Sequence, residues 1–261
     1  DLRESRVAAI SQVFYLRDVT HETEVDQMKT EFLSTAAHEL RTPMASIFGF
    51  CELLLHRKHA PERQREMLEV ILRQSRRMVA ILNELLDLAR IESRRGTDFA
   101  LETLDLATLV RDVVAEFKPP ADRAPPQLHG LVDGVRVRVD RNKMHQALGN
   151  VLSNAYKYSP AGGPVTLRLQ QATAADQPMR AGEPGQQCWG IVVQDRGIGM
   201  TPEQLARVSE RFYRADASGN IPGTGLGMAI VKEIVELHQG ELDITSEPGQ
   251  GTSVTIWIPA A

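Results

Sequence analysis

The sequence predicts an α+β protein of more than one domain, in which an antiparallel helical hairpin precedes an α/β sandwich. Between about residues 21 and 93, apolar residues recur with the heptad spacing of packed helices, interrupted once by a short loop. From residue 96 onward, helical stretches alternate with β-prone runs, the pattern of a layered α/β fold. The length of 261 residues suits two ordinary domains better than a single small one.

The composition is that of a globular protein, since 42% hydrophobic and 25% charged residues exclude a disordered or collagen-like chain. The net charge of -4 argues against a nucleic-acid-binding surface. Two cysteines, Cys51 and Cys188, are too few for a disulfide framework and fit a reducing compartment. No apolar run reaches the roughly 18–20 residues that cross a bilayer. We therefore expect a cytoplasmic chain without nucleic-acid or membrane contacts and, because it begins at Asp1, a fragment of a longer protein.

The N-terminal third is predicted to be one strand followed by two helices. Residues 7–17 are apolar and β-prone, which predicts a terminal strand. Two apolar seams follow, spaced alternately by three and four residues: Leu33, Ala37, Leu40, Met44, Ile47, Cys51 and Leu54, then Leu68, Ile71, Ser75, Met78, Leu82, Leu85 and Ala89. Pro61 between them suits the first turn of a new helix. One hairpin cannot bury both seams well, so we expect two copies to pair as a dimeric four-helix bundle.

The remaining elements are predicted from local periodicity. We expect helices at 105–117, 141–158, 202–211 and 226–238, and strands at 135–139, 165–170, 188–194, 241–246 and 252–258. Asp140 is a plausible N-cap for the second of these helices. Residues 171–187 are rich in Ala, Gly, Pro and Gln and predict a long hairpin loop.

His38 is the candidate nucleophile of the hairpin. If Ala37 lies on the seam, His38 faces solvent, and a solvated surface histidine is the common alternative. Its neighbours favour chemistry: Glu39 can act as a base toward the imidazole, and Thr42 offers a hydroxyl one turn away. Pro43 cannot donate to the carbonyl of Glu39, which weakens or kinks the helix there. A neutral imidazole is a competent nucleophile near neutral pH.

Four segments of the second half could build a ligand site. Residues 150–158 (NVLSNAYKY) place Asn150 and Asn154 on one helical face, where amide oxygens suit a hard cation such as Mg²⁺. Residues 195–200 (DRGIGM) follow an apolar run, and glycines there allow close approach of a flat ligand. The other two segments are 223–228 (GTGLGM), which opens a helix as a phosphate cradle would, and 249–252 (GQGT). Each of these has a common structural alternative, such as a surface amide pair or an ordinary glycine turn.

The segment 32–44 (FLSTAAHELRTPM) resembles the H box of the histidine protein kinases of two-component signalling. The resemblance implies that His38 accepts a phosphoryl group and that Glu39 is its acid/base neighbour. It also implies that Thr42 helps to hydrolyse the phosphorylated partner.

The order of the later motifs, with 210–214 (ERFYR) between the second and third, resembles the Bergerat-type ATP-binding domain of the same kinases, an α/β sandwich with a mixed sheet. It implies that Asn154 ligates Mg²⁺ with Asn150 in support, that Asp195 binds the adenine amino group, and that Tyr158 flanks the ring. Lys157, Gly225 and Gly227 would contact the phosphates of ATP. Residues 213–224 would form a lid anchored by Phe212. The same nucleotide site would include Gly197, Gly199, Gly223, Thr224, Leu226 and Thr252.

The resulting expectation is an ATP- and Mg²⁺-dependent histidine kinase core that acts as a homodimer and phosphorylates the receiver domain of a response regulator. Residues 1–20 would be the tail of a PAS-like sensor, 21–95 the phosphotransfer hairpin and 96–261 the catalytic domain, with a hinge near 93–98. Two alternatives remain: an ATPase that uses ATP as a conformational clamp, and a dimeric scaffold without activity. The clamp would leave the H box idle, and the scaffold predicts loss of the Asn and Gly motifs, which are intact.

Overall fold

A computed structural model describes residues 20–94, 99–173, 186–216, 221 and 223–261. The strand predicted at 7–17 therefore lies outside the described residues. The chain divides into two compact units, residues 1–38 and residues 39–261, and this division falls within the first helix.

Two long helices form the N-terminal part, α1 (Thr20–His56) and α2 (Pro61–Arg94). Pro61 begins α2 as predicted, at a position where its missing N–H costs no helical hydrogen bond. The ring of His59 is 3.1 Å from the carbonyl oxygen of Leu53, which ties the connection to the end of α1. Among the described residues, no helix has an apolar stretch long enough to cross a membrane.

The second helix carries two neighbouring apolar stripes. Met67, Ile81 and Leu88 are buried within the chain. The other stripe is exposed and comprises Leu68, Leu72, Val79, Leu82 and Leu86. Predicted seam positions Leu68 and Leu82 thus lie on the exposed stripe, because spacing reveals an apolar face without telling which partner covers it.

The described residues from 99 onward form an α/β domain with a mixed sheet, as predicted. Its strands are β1 (Glu102–Asp105), β2 (Gln127–His129), β3 (Arg136–Val139), β4 (Thr166–Gln171), β5 (Cys188–Gln194), β6 (Glu241–Glu247) and β7 (Gly251–Pro259). Its helices are α3 (Leu106–Glu116), α4 (Arg141–Lys157), α5 (Pro202–Arg207) and α6 (Gly227–Leu237).

The main sheet has the strand order β2-β4-β5-β7-β6, in which β2 and β4 are parallel and the other pairs antiparallel. Strands β1 and β3 form a separate antiparallel pair. Helix α4 packs against α6 and β5, and α6 also contacts β6 and β7. Leu148, Leu152, Ile191, Ile230 and Ile256 are completely buried between these layers. This core holds the N-terminus of α6 and the end of β5 beside α4, where the candidate site lies.

Three helix predictions, for α3, α4 and α6, agree with the structure to within one residue at each end, and side-chain caps fix the starts of α3 and α4. Asp105 accepts a hydrogen bond from the N–H of Thr108 at 2.9 Å, and Asp140 caps α4 through the N–H of Lys143 at 3.0 Å. The helix predicted at 202–211 was too long, since α5 ends at Arg207. Beyond Arg207 the chain forms turns, in which the N–H groups of Val208 and Glu210 donate to the carbonyl oxygens of Leu205 and Arg207, three residues earlier, instead of continuing the α-helical pattern. Strands β1 and β2 were missed because three or four residues carry too little alternation.

Candidate active site

The three predicted hairpin residues all lie on α1. The side chains of His38 and Thr42 are exposed, whereas that of Glu39 is partly buried. Helix α1 continues through Pro43 to His56, so the proline does not end it.

Glu39 is paired with a residue that sequence reasoning missed. Nη2 of Arg77, on α2, donates to Oε2 of Glu39 at 3.1 Å, and the two side chains are 36% and 28% exposed. The pair joins the two hairpin helices next to the candidate nucleophile. No sequence signal marks Arg77, which is one of many arginines on α2 and lies 38 residues from Glu39.

A cleft of about 260 Å³ opens in the α/β domain beside α4. It brings together most of the residues predicted for the nucleotide site. The predicted residues that line it are Asn150, Asn154, Lys157, Tyr158, Asp195, Gly199, Gly223, Thr224, Gly225, Gly227 and Thr252. Gly197 and Leu226 do not line it: Leu226 is fully buried at the start of α6, and Gly197 lies behind Asp195.

Asp195 follows the last residue of β5 and is only 7% exposed. Its Oδ1 accepts hydrogen bonds from the N–H groups of Gly197 at 2.7 Å and Thr252 at 3.2 Å. Burial raises the pKa of Asp195, and these N–H donors partly offset the rise. The nearby Ser159 hydroxyl also lowers the pKa of Asp195. Both N–H groups use Oδ1, so Oδ2 is the oxygen that receives no backbone donor.

The glycine motif before α6 folds tightly against the segment that contains Phe212. Gly225 has φ +77°, and a Cβ placed there would lie 2.5 Å from the carbonyl carbon of Phe212. Only glycine fits this position without moving backbone. The motif lines the cleft through Gly223, Thr224, Gly225 and Gly227 at the N-terminus of α6, a position that favours an anion.

Helix α4 supplies the polar wall of the cleft. Nδ2 of Asn150 is 3.4 Å from the carbonyl oxygen of Gly227, so its Oδ1 remains a hard oxygen donor beside Asn154. Lys157 reaches the glycine motif, since a Cβ on Gly223 would lie 2.1 Å from its Nζ. Burial is the main cause that lowers the pKa of Lys157. Among the described residues there is no group of three or more His, Cys, Asp or Glu side chains that could hold a metal. The amide oxygens of Asn150 and Asn154 are candidate cation ligands in this cleft.

The segment predicted as a lid is described at 213–216, 221, 223 and 224, and its other residues lie outside the described part. Tyr213 and Ala215 line the cleft. The N–H of Ile221 donates to Asp216 at 2.8 Å, and Arg214 donates to the Ile221 carbonyl oxygen at 2.7 Å.

Sequence reasoning missed two groups of lining residues. The apolar ones are Val151, Ala155, Val193, Ile198, Met200, Val208, Met228, Ile244 and Val254. Strand alternation in β5 and β7 could have identified some of them. The other is Glu84, a carboxylate that enters from α2 and has no sequence signal.

Comparisons with known proteins agree with this architecture. The family model for the His Kinase A (phospho-acceptor) domain matches residues 28–94, and that for the histidine kinase-, DNA gyrase B- and HSP90-like ATPase matches residues 139–261. The sensor protein SrrB of Staphylococcus aureus (strain N315) is 32% identical over 253 residues, or 95% of this chain and 41% of that protein. The chain thus spans less than half the length of this relative.

Two solved structures resemble most of the chain. The histidine kinase AdeS of Acinetobacter baumannii has a TM-score of 0.63 at 22% identity and covers 85% of this chain and 97% of its own, which supports the fold. Full-length ShkA, in complex with AMPPNP, has a TM-score of 0.59 at 25% identity and covers 88% of this chain and 46% of its own. A phosphoacceptor helical domain followed by this ATPase domain defines the protein-histidine kinases. The chain belongs to the sensor histidine kinases.

Proposed function

We propose that this chain binds ATP and Mg²⁺, phosphorylates its own His38, and passes the phosphoryl group to an aspartate of a response-regulator receiver domain. The observation that carries the proposal is the convergence of Asp195, the Asn pair and the glycine motif on one cleft. That the similar ShkA was solved with AMPPNP supports a nucleotide in the corresponding cleft.

Each wall of the cleft has a role in holding the nucleotide. Oδ2 of Asp195 accepts from the adenine amino group, and Tyr158 flanks the ring. Lys157 and the N–H groups around Gly225 and Gly227 bind phosphate oxygens. The amide oxygens of Asn154 and Asn150 fit Mg²⁺, which would neutralise charge on the phosphates when bound.

The chemical step is an in-line displacement at the γ-phosphorus. A neutral His38 nitrogen attacks, a nitrogen–phosphorus bond forms, the bond to the bridging oxygen breaks, and ADP leaves. Glu39 accepts the proton that the imidazole releases from its other nitrogen. In the second reaction the aspartate oxygen of the receiver domain takes the phosphoryl group from His38. Thr42 assists the reverse, phosphatase activity by holding the water that hydrolyses the phosphoaspartate.

The active form is a homodimer. The exposed stripe of α2, defined above from Leu68 to Leu86, presents five large apolar side chains that a second copy would cover. Pairing two hairpins buries both stripes in a four-helix bundle. Residues 21–95 are then the phosphotransfer hairpin and 96–261 the catalytic domain. The segment 93–98 between them, of which 95–98 lie outside the described residues, is where we expect the hinge that lets the two approach. A sensor domain of the full-length protein would control this cytoplasmic core.

The test is incubation of the dimeric chain with γ-labelled ATP and Mg²⁺. Label should appear that is labile to acid and stable to base, and it should be lost in His38→Gln. The matched control is His56→Gln, which changes another exposed histidine of α1 and should label normally. Adding a phosphate-free receiver domain should move the label to that protein. ATP hydrolysis without any histidine label would instead favour a clamp ATPase.

A further inference from the structure

A carboxylate of the hairpin occupies part of the cleft. Glu84, on α2, accepts a hydrogen bond from the hydroxyl of Thr224, the second residue of the glycine motif. Thr224 is 9% exposed, and its Oγ1 in turn accepts from the N–H of Leu226 at 3.3 Å. Glu84 thus binds the motif at the N-terminus of α6, on the side that faces the cleft.

The surroundings of Glu84 are those of an anion site. Burial raises its pKa, while the Thr224 hydroxyl and the positive charge of Lys157 oppose that rise. These are the hydroxyl and the ammonium that the cleft offers to phosphate. A carboxylate bound to the Thr224 hydroxyl, within the field of the Lys157 charge, stands where a negatively charged group of the nucleotide would bind.

A second polar contact fixes the same face of α2. Nε2 of Gln146, on α4, donates to Oδ2 of Asp87 at 2.8 Å. Asp87 is three residues after Glu84, so both side chains project from one face of α2. Helix α2 also packs against α6. The carboxylate therefore enters the cleft as part of a docked helix rather than as a single mobile side chain.

We propose that Glu84 is an autoinhibitory plug, which competes with the phosphates of a nucleotide for Thr224 and Lys157. This inference rests on the proposed function in that it requires the cleft to bind ATP. Docking of α2 through Glu84 and binding of the triphosphate then exclude each other. The observed affinity for ATP is the intrinsic affinity reduced by the fraction of molecules in which the plug is withdrawn.

The experiment measures the Kd for ATP on the whole chain by displacement of a fluorescent nucleotide, in the presence and absence of Mg²⁺. Glu84→Ala removes the carboxylate and keeps a strong helix former, so Kd should fall about threefold to tenfold. Glu84→Gln keeps the length of the side chain but loses the attraction to Lys157. Its Kd for ATP should lie between the values for Glu84→Ala and for the unmodified chain. The control is Glu69→Ala, an exposed carboxylate of α2 paired with Arg65, which should leave Kd unchanged.

Each outcome separates this inference from the proposed function. If none of the proteins binds ATP, the proposed function fails and the plug fails with it. If all bind ATP with one Kd, the cleft is a nucleotide site and the plug is refuted. Weaker binding in both Glu84 variants only when Mg²⁺ is present would make Glu84 a cation ligand and would equally overturn the plug. A thermal melt of each variant confirms that the comparison is made on folded protein.

Discussion

The guanidinium of Arg77 holds the carboxylate of Glu39 across the hairpin, and Nη2 of Arg77 lies 3.1 Å from Oε2 of Glu39. Glu39 directly follows the proposed phosphoacceptor, so this ion pair fixes the orientation of the proposed acid/base group. A partly exposed pair of this kind contributes about 0.2–1 kcal/mol. Its importance for the reaction therefore lies in geometry more than in stability.

We expect Arg77→Gln to slow autophosphorylation about fivefold at saturating ATP, because Glu39 loses its fixed orientation. Arg77→Lys should recover part of the rate, since it keeps the charge but replaces the planar guanidinium by an ammonium in a different position. The measurement is the initial rate of histidine labelling. Arg73→Gln, an exposed arginine one turn earlier, is the control. An unchanged rate in Arg77→Gln would show that Glu39 needs no such support.

Asp195→Asn should weaken ATP binding about tenfold or more while leaving the fold intact. Asn retains an Oδ1 for the N–H groups of Gly197 and Thr252. In place of Oδ2 it presents an NH₂ group. This group faces the amino group of adenine, and because both are donors neither gains a hydrogen bond. Calorimetric titration with ATP measures the loss.

The control for that substitution is Asp243→Asn, an exposed aspartate of β6 in the same sheet. Its side chain lies on the face of β6 opposite to that of Ile244, which lines the cleft, so this variant should bind ATP normally. If Asp195→Asn also bound ATP normally, the assignment of Asp195 to adenine would be wrong.

The exposed stripe of α2 predicts a selective loss of dimerisation. Leu72→Glu places a charge where a second copy would bury a leucine, and it should raise the dimer dissociation constant about tenfold or more. Val132→Glu is matched in exposure, at 45% against 49% for Leu72, but lies in the other domain. Sedimentation equilibrium measures the dimer dissociation constant of both variants. An equal increase of this constant in Leu72→Glu and Val132→Glu would exclude α2 as the interface.

Two glycines should respond in opposite directions to alanine. A Cβ on Gly149, inside α4, would meet open space. Gly149→Ala should therefore raise the free energy of unfolding by about 0.5–1 kcal/mol. Gly199 has φ +63°, and a Cβ there would lie 1.9 Å from the carbonyl oxygen of Glu247. Gly199→Ala should therefore lower the unfolding midpoint in urea and loosen the cleft. A gain of stability in Gly199→Ala would contradict the tight turn.

The sequence allowed prediction of the elements whose signals are local. Helix α4 was bounded correctly because Asp140 caps it, and β5 because seven residues of apolar, β-prone sequence stand together. The motifs that line the cleft were grouped by their order along the chain.

Long-range pairings could not be predicted. Arg77 and Glu84 act through partners 38 and 140 residues away, and each looks like one charge among many on an exposed helix. Gly197 and Leu226 belong to cleft motifs, yet they support the site from behind, since a motif does not reveal which of its members face the ligand.

Acid should destabilise the α/β domain through His238, which is 4% exposed at the end of α6. Its Nδ1 is 2.7 Å from the carbonyl oxygen of Ile234, and its Nε2 accepts the N–H of Asp140 at 2.9 Å. The ring also contacts Phe99, with 4.9 Å between ring centroids. Protonation at Nε2 removes the acceptor that Asp140 needs.

Burial lowers the pKa of His238, although its bond to Ile234 and the charge of Asp140 act in the opposite direction. The folded state therefore binds a proton less readily than the unfolded chain, whose histidines titrate near about 6.5. This contribution to stability is complete above that value. It is lost as pH falls from there toward the lower folded pKa, at no more than about 1.4 kcal/mol per pH unit for one site.

The measurement is the free energy of unfolding in urea at several pH values between about 7.5 and 5, for the original chain and for His238→Gln. Glutamine cannot take up the proton. The free energy of unfolding of His238→Gln should therefore fall less steeply with decreasing pH than that of the original chain, whatever its absolute value. His129→Gln, at a histidine of the edge strand β2, should keep the steep profile of the original chain. Parallel profiles for the original chain and His238→Gln would show that the acid sensitivity arises elsewhere.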